Sequence, residues 1–506
     1  MASDASMVAP LDAHNLALLA KVHPQGWRNP PPAARYNLVV VGAGTAGLVS
    51  AVGAAGLGAK VAIVERALMG GDCLNFGCVP SKTLLRSARA AADARAGAAL
   101  GVTAEPVRVD FAAVMERMRR LRAELAHNDS AERLRGLGID VFIGDARFVS
   151  SDAVEVEGQR LRFRRAVIAT GARAALLPIP GLAEAGCLTN ETIFSLTELP
   201  RRMAVIGAGP IGCELAQAMR RFGSEVTLLE AEPRILPRED RDAAARIDLA
   251  LARDGVVIKT GCRIVAIEKR ESEKLLRIET GGSQAEIAVD EILLGVGRVP
   301  NVDGLGLEAA GVEYDRAHGI RVDDYLRTAN SRIYAAGDCA SALKFTHLSD
   351  AHARIVLRNA LFFGRSRVSA LTIPWCTYTD PEIAHTGLDE AEAAKRGIKV
   401  TTFVQEMADV DRAVLDGETD GLLKVHVKQG GDQIVGATMV ARHAGEIISE
   451  LTTATSAGVG LSKLAEIIHP YPTQAEAIRK IANQYNRTRL TPFASRLFRR
   501  WFQWTR

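Results

Sequence analysis

The chain has 506 residues, 48% hydrophobic and 24% charged, with a formal net charge of +4; this length exceeds one ordinary core and points to about three domains. A charge this small gives no argument for a nucleic-acid partner, and seven cysteines, an odd number spread over a long chain, argue against a secreted disulfide framework. No uninterrupted apolar run of about 18 to 20 residues occurs, so no membrane-crossing helix is expected. The opening Met1–Ser6 stretch has neither a basic region nor an apolar core. No leader is therefore expected, and a cytoplasmic compartment follows, where disulfides are usually catalytic or redox-sensing.

Residues 1–35 read as an extension. Leu11 to Val22 has the pattern of a short amphipathic helix, and Pro30, Pro31 and Pro32 form a stiff linker. Asn37 to Val41 then reads as a buried parallel strand, followed by Gly42-Ala43-Gly44-Thr45-Ala46-Gly47, an Ala-rich helix and a second strand, Lys60 to Glu65. This is a βαβ opening. The unit recurs: Met203 to Ile206, then Gly207-Ala208-Gly209-Pro210-Ile211-Gly212, a helix, and Glu225 to Glu230. First glycine and terminal acid are both displaced by 165 residues, a coincidence that marks an internal repeat.

Between the units lie a helical, arginine-rich stretch (residues 110–135) and strands ending at Thr170-Gly171. After the second unit a matching strand and turn run from Leu293 to Asn301 through Gly297, and Ile333 to Cys339 ends another strand at Asp338. From about Leu371 to Asn486, alternating strands and two helices indicate a separate domain. The expected fold is α/β: two Rossmann-like dinucleotide-binding domains and a C-terminal α/β dimerisation domain. The expected divisions are 1–35, 36–186 and 301–368 (first nucleotide domain, in two parts), 187–300 (second), 369–486 and 487–506. The last segment holds six arginines and no acid, interleaved with Phe493, Leu497, Phe498, Trp501, Phe502 and Trp504. That mixture suits peripheral contact with an anionic membrane, or a helix packed on its own protein.

In each glycine loop, backbone N–H groups and a helix start face a pyrophosphate. Gly42, Gly44 and Gly47 serve one dinucleotide, and Gly207, Gly209 and Gly212 the other. Glu65 and Glu230, each 18 residues past the last glycine, are the expected ribose ligands. Glu230 favours NADH, because a carboxylate repels the 2′-phosphate of NADPH, although Arg234 nearby offers that phosphate a partner.

Cys73 and Cys78 lie in Gly-Gly-Asp-Cys-Leu-Asn-Phe-Gly-Cys-Val-Pro-Ser-Lys, residues 70–82. They fit one turn at a helix start, where the dipole and Lys82 favour a thiolate. No second Cys-x-x-Cys or Cys/His pair completes a zinc site, so no resident metal is expected. The first unit, beside the cysteines, should hold a flavin dinucleotide and the second a nicotinamide. Lys82 and Glu214 are expected to form an ion pair near the flavin. Cys187, Cys213, Cys262, Cys339 and Cys376 read as small buried hydrophobes. Near the end, His469-Pro470-Tyr471-Pro472-Thr473-Gln474-Ala475-Glu476 offers ring groups and a carboxylate for proton relay or ligand positioning.

Together these motifs resemble the flavin-dependent pyridine nucleotide–disulfide oxidoreductases, a family that includes dihydrolipoamide dehydrogenase, glutathione reductase and mercuric reductase. The resemblance runs over about residues 36 to 486 and rests on Cys-x4-Cys-Val-Pro-Ser-Lys, the repeated loops, Ala-Ala-Gly-Asp338 and Pro-Thr-x-x-Glu. It implies FAD, NADH or NADPH, a Cys73–Cys78 disulfide with Cys78 facing the flavin and Cys73 attacking substrate, and Asp338, Gly171 and Gly297 near the cofactors. It also implies a homodimer in which each subunit lends an acid–base pair to the other. At the position of the family's histidine stands Tyr471, followed by Glu476. Tyrosine there is the mercuric reductase pattern, but the vicinal C-terminal cysteines of those enzymes are missing, as is an N-terminal Cys-x-x-Cys module. The resemblance therefore implies an NAD(P)H-dependent flavoenzyme that reduces a metal ion or small disulfide, closest to mercuric reductase-like proteins. The alternatives are a dihydrolipoamide dehydrogenase relaying protons through His469 or water, and a flavin redox sensor or membrane-associated protein without turnover.

Overall fold

The computed structural model describes residues 7–103 and 106–506, and they fall into two compact units, Met1–Ala231 with Val256–Ala370 and Glu232–Gly255 with Leu371–Arg506. The Met1–Ser6 stretch, from which no leader was expected, lies outside the described residues.

The first unit is built on Tyr36–Val41, a strand buried at every position but Asn37. It has parallel neighbours on both sides, Val61–Glu65 and Gln159–Ile168, so both of its faces and edges are covered. The sheet extends to Asp140–Ile143 on one side and to Ile333–Ala335 and an antiparallel hairpin on the other. Aromatic residues Tyr36, Phe142, Phe148 and Phe163 fill one of its core faces. A second parallel sheet runs in the order Val257–Lys259, Glu225–Leu229, Arg202–Ile206, Glu291–Leu294. A three-stranded meander, Cys262–Val289, and a short ribbon pairing Ala172–Ala174 with Arg298–Pro300 complete the unit.

The segment before the first strand is not a loose appendage. Ala13–Val22 is helical, started by the Asp12 carboxylate, which accepts the Asn15 amide. Its Leu18, Leu19 and Val22 are buried. Asn15, wholly buried, accepts a 2.7 Å hydrogen bond from Arg122, and Lys21 donates to the carbonyl of Ala123.

The second unit centres on a five-stranded antiparallel sheet in the order Pro374–Thr377, Glu382–Gly387, Ile434–Ala441, Leu422–Lys428, Val400–Glu406. The two expected helices are Ala444–Ala457 and Glu476–Thr488, and shorter helical turns join them. A last helix, Pro492–Trp504, has no buried residue. No helix among the described residues is long and apolar enough to cross a membrane.

Candidate dithiol and dinucleotide site

Both glycine loops, both candidate thiols and Asp338 lie within the first unit. Val61–Glu65 ends with the Glu65 carboxylate turned back on the first loop, accepting the amides of Ala43 (2.7 Å) and Ala67 (2.9 Å). Burial pushes the Glu65 carboxyl up, and those two amides oppose the shift. Glu230 makes the same move on the second glycine loop, accepting the Ala208 amide at 2.6 Å. The repeat seen in the sequence is thus a repeat in geometry: an acid one residue or less beyond the strand anchors the glycine turn.

Space around the glycines supports the cofactor assignment. A Cβ on Gly42 would meet the Ala169 carbonyl oxygen at 2.3 Å, and one on Gly47 the Gly42 oxygen at 1.8 Å. In the second loop the corresponding clashes are Gly207 on Gly295 (2.6 Å) and Gly212 on Gly207 (1.9 Å). The middle glycines differ. Gly209 has nothing within 4 Å of such an atom, and Gly44 only the Gly71 Cα at 3.8 Å. Outer glycines therefore serve packing, while the middle ones leave open room before a helix start, where a pyrophosphate fits. Gly171 and Gly297 flank the short ribbon, and each likewise has open space at its Cβ position.

The thiol turn is locked onto the first loop. Gly70 donates to the Ala43 carbonyl at 2.9 Å, and Gly71, at φ +58°, lies so close that a Cβ would come within 2.6 Å of Gly44 Cα. The expected single turn is in fact two pieces. Cys73 lies in the short helix Gly71–Asn75, and Cys78 is the first residue of Cys78–Ala96, with a break at Phe76-Gly77. The break lets Gly77 sit against Asp72, leaving no room for a side chain there. Both cysteines are free thiols. Cys73 donates a hydrogen bond to Cys78, which lowers the Cys78 thiol to about 6, against burial and with help from the Thr346 hydroxyl and Lys82. The same bond, with burial, drives Cys73 upward. The helix start adds its own dipole beneath Cys78.

One turn on, Lys82 pairs with Glu214 at 2.8 Å, Glu214 being almost wholly buried. The helix Cys78–Ala96 makes this contact by running beside Pro210–Phe222, the helix of the second loop; Arg95 caps that helix at the Arg221 carbonyl. Asp338 is raised by burial and countered by Arg298 and Lys344.

Several neighbours had no signal in the sequence. Arg298 donates to Asp72 at 3.1 Å and to the Ala172 carbonyl at 2.7 Å, and its Nε lies 3.8 Å from Asp338 with no hydrogen-bond partner. A buried, unpartnered guanidinium N–H beside Asp338 fits an acceptor atom of a bound flavin dinucleotide. Asn190 also donates to Asp72, at 2.8 Å. Thr346 Oγ1 lies 3.4 Å from Cys78 Sγ. Arg122 bonds the Asn75 carbonyl at 2.8 Å while holding Asn15. Only the adjacency of Asp72 to Cys73 and of Arg298 to Gly297 hints at any of this.

The second unit holds the remaining candidates. Tyr471, two-thirds exposed, donates its hydroxyl to Asp411 at 3.0 Å, and that bond raises its pKa. Glu476 is buried and accepts Arg479 at 2.6 Å. Tyr471 and Glu476 therefore do not hydrogen-bond one another: Glu476 opens a helix and is taken by the arginine one turn on. His469 pairs instead with Glu450 at 2.9 Å. Arg234 is spent on its own loop, donating to the carbonyls of Leu236, Pro237 and Glu239. Of the five remaining cysteines, Cys213, Cys262 and Cys339 are buried as expected, but Cys187 and Cys376 are only partly so. No group of three or more His, Cys, Asp or Glu suited to a metal ion occurs among the described residues.

One glycine loop locked against a dithiol turn, and a second whose helix is tied to that turn by Lys82–Glu214, are the parts of a redox protein that works with nucleotide cofactors. Residues 36–354 match the model of the pyridine nucleotide-disulphide oxidoreductases, and 373–482 match the dimerisation domain of those proteins. The chain belongs to the pyridine nucleotide-disulphide oxidoreductase family, whose members use FAD and NAD(P)H. It is 35% identical to a mercuric reductase of Bacillus cereus, over 88% of this chain and 70% of that one. It is 36% identical to a dihydrolipoyl dehydrogenase of Thermus scotoductus, over 88% and 96%. Among solved structures it resembles the Cu(II) complex of the HOCl-induced flavoprotein disulfide reductase RclA of Escherichia coli, with a TM-score of 0.79 and 29% identity over 88% of this chain and 99% of that one.

Proposed function

We propose that this oxidoreductase passes electrons from a nicotinamide dinucleotide to Cys73 and Cys78 and from there to a metal ion. Bound FAD supplies the hydride-accepting chemistry between nicotinamide and disulfide. The chain's own residues prepare the rest. The loop of Gly42, Gly44 and Gly47, with Glu65, Arg298 and Asp338, holds FAD; the loop of Gly207, Gly209 and Gly212, with Glu230, holds the nicotinamide dinucleotide; Gly171 and Gly297 leave room beside them. Cys78 is the thiolate on the flavin side, kept ionised by Cys73, Thr346 and Lys82, and Glu214 fixes the lysine. Cys73 engages the substrate. The Glu230 carboxylate and the three bonds that tie Arg234 to its own loop carbonyls favour NADH over NADPH.

The observation that carries the choice of substrate is Tyr471. Reducing a disulfide substrate leaves a thiolate product that needs a proton. A metal ion that takes up the electron pair of the two thiolates needs none: one Hg(II) accepts both electrons, or two Cu(II) accept one each, while the cysteines return to a disulfide and their protons go to solvent. A tyrosine whose pKa is raised by Asp411 is a poor donor at neutral pH but a serviceable hydrogen-bonding or ligand-positioning group. The names of the Bacillus cereus relative and the Escherichia coli neighbour point the same way. A second reading, dihydrolipoamide oxidation, is favoured by the His469–Glu450 pair and by the Thermus relative. We further place the protein in the cytoplasm as a homodimer in which Tyr471 and Glu476 serve the other subunit's dithiol, with residues 487–506 in peripheral contact with a membrane.

Steady-state turnover with NADH against Hg(II), Cu(II), lipoamide and glutathione disulfide tests the substrate. Metal ions should be turned over and lipoamide only slowly, and Tyr471→His should raise lipoamide turnover about 100-fold. Fast lipoamide turnover in the unaltered protein, abolished by His469→Gln, overturns the metal-ion reading in favour of the second.

A further inference from the structure

The helix Pro492–Trp504 is ordered by its own sequence yet buries nothing. Thr491 caps it by accepting the Ala494 amide, Pro492 takes the first turn, and no residue along it is buried. Phe493 is 74% exposed, Trp504 79% and Phe502 60%. At 3.6 residues per turn, Phe493, Leu497, Phe498, Trp501, Phe502 and Trp504 fall on one half of the helix. Arg496, Arg499, Arg500 and Gln503 fall on the other half. A water-exposed face of that composition is unfavourable by the apolar area it leaves hydrated. Something must cover it.

The charge says what. From Ala477 onward the chain carries no acidic residue, while Arg487, Arg489, Arg496, Arg499, Arg500 and Arg506 are all cationic. A protein partner would have to match both a flat aromatic face and a cationic rim. An anionic lipid surface supplies both at once: acyl chains below the phosphate level and phosphates beside the arginines. Trp501 and Trp504, whose rings lie 5.4 Å apart, are the side chains that settle at such an interface. Thirteen residues make a rod of about 20 Å, suited to lying in the plane of the interface.

We propose that the Pro492–Trp504 helix is an in-plane anchor for anionic phospholipid, with its aromatic half immersed at the acyl boundary and its arginines at the phosphates. This deepens the peripheral membrane contact proposed above, and rests on it, by naming the lipid class. It places the reductase at a membrane face.

Co-sedimentation of the FAD-loaded, full-length protein with vesicles tests it. Binding is expected to phosphatidylglycerol-containing vesicles, to weaken with added salt, and to be negligible on pure phosphatidylcholine. Each of R496Q, R499Q and R500Q should weaken binding about fivefold, and the double variant F498S/W501S should abolish it. None of these residues is buried, so flavin content and NADH turnover should stay at the level of the unaltered protein and report that the fold is intact. Equal binding to both vesicle types overturns the lipid class while leaving peripheral contact standing. Absence of binding to either overturns both. So does light scattering that shows self-association lost in F498S/W501S, because the aromatic face then covers a second copy of the chain.

Discussion

Cys78 becomes a thiolate near pH 6 for local reasons: a hydrogen bond from Cys73, another from Thr346, and the Lys82 cation, together outweighing burial. In the reduced protein the Cys78 thiolate is therefore present at neutral pH and is lost as pH falls through about 6. Lys82 and Glu214 act on this in opposite directions. Lys82→Met removes a cation that favours the thiolate and should move the transition up by about one pH unit. Glu214→Gln removes the anion that offsets Lys82 and should move it down. Thiolate absorbance of the dithionite-reduced protein, titrated against pH, reads both shifts. A shift of the same sign in both variants would mean that the pair acts only through packing. The cysteines, Lys82 and Glu214 were all legible in the sequence, because each lies in or just after a motif. Arg298 and Asn190, which hold Asp72 beside Cys73, lie 226 and 118 residues from it. No local pattern encodes such a contact, since it exists only once the ribbon Ala172–Ala174/Arg298–Pro300 has formed.

The elements that position the thiols include one that composition alone set aside. The helix Ala13–Val22 read as part of an extension, because its amphipathic pattern does not reveal what its apolar face meets. It meets the arginine-rich helix Phe111–Leu125, with Arg119 bound to Asp12 and Arg122 bound to both Asn15 and the Asn75 carbonyl. The last bond reaches the end of the Cys73 turn. Arg122 is 2% exposed, so its charge tolerates little loss of partners. Asn15→Ala would leave a buried guanidinium N–H unpaired, at a cost of about 2 kcal/mol. Denaturant unfolding should show that loss, and FAD should be released at a lower temperature than from the unaltered protein. Unchanged stability with unchanged flavin retention would mean that the helix rests on the first unit without supporting the thiol turn. The strands and glycine loops, by contrast, could be read almost to the residue. Their periodicity and turn chemistry are local, and a buried valine run followed by a glycine loop and a helix marks a parallel strand covered on both faces.

At the scale of the whole molecule the two sets of candidate groups belong to different units: the dithiol, Lys82 and Glu214 to the first, and Tyr471, Glu476 and His469 to the second. Residues 373–482 are of the dimerisation type, and a two-fold dimer presents each second unit to another chain. If Tyr471 of the partner subunit serves each dithiol, activity is a property of pairs of chains and can be reassembled from two defective ones. A C73S/C78S chain lacks the dithiol but keeps Tyr471; a Y471F chain has the reverse defect. Within a mixed dimer one site combines both defects and the other combines both intact parts. Random exchange makes about half of the dimers mixed, so the NADH-dependent turnover of an equal mixture should reach about a quarter of that of the unaltered protein. Each variant alone should stay well below that value. If each chain used its own tyrosine, no mixture would contain an intact site, and the mixed sample would be no better than the mean of its two components. The measurement needs only subunit exchange, confirmed by pull-down of one tagged variant with the other, followed by turnover with NADH. It separates service between subunits from service within one chain, whichever metal ion or disulfide is the acceptor.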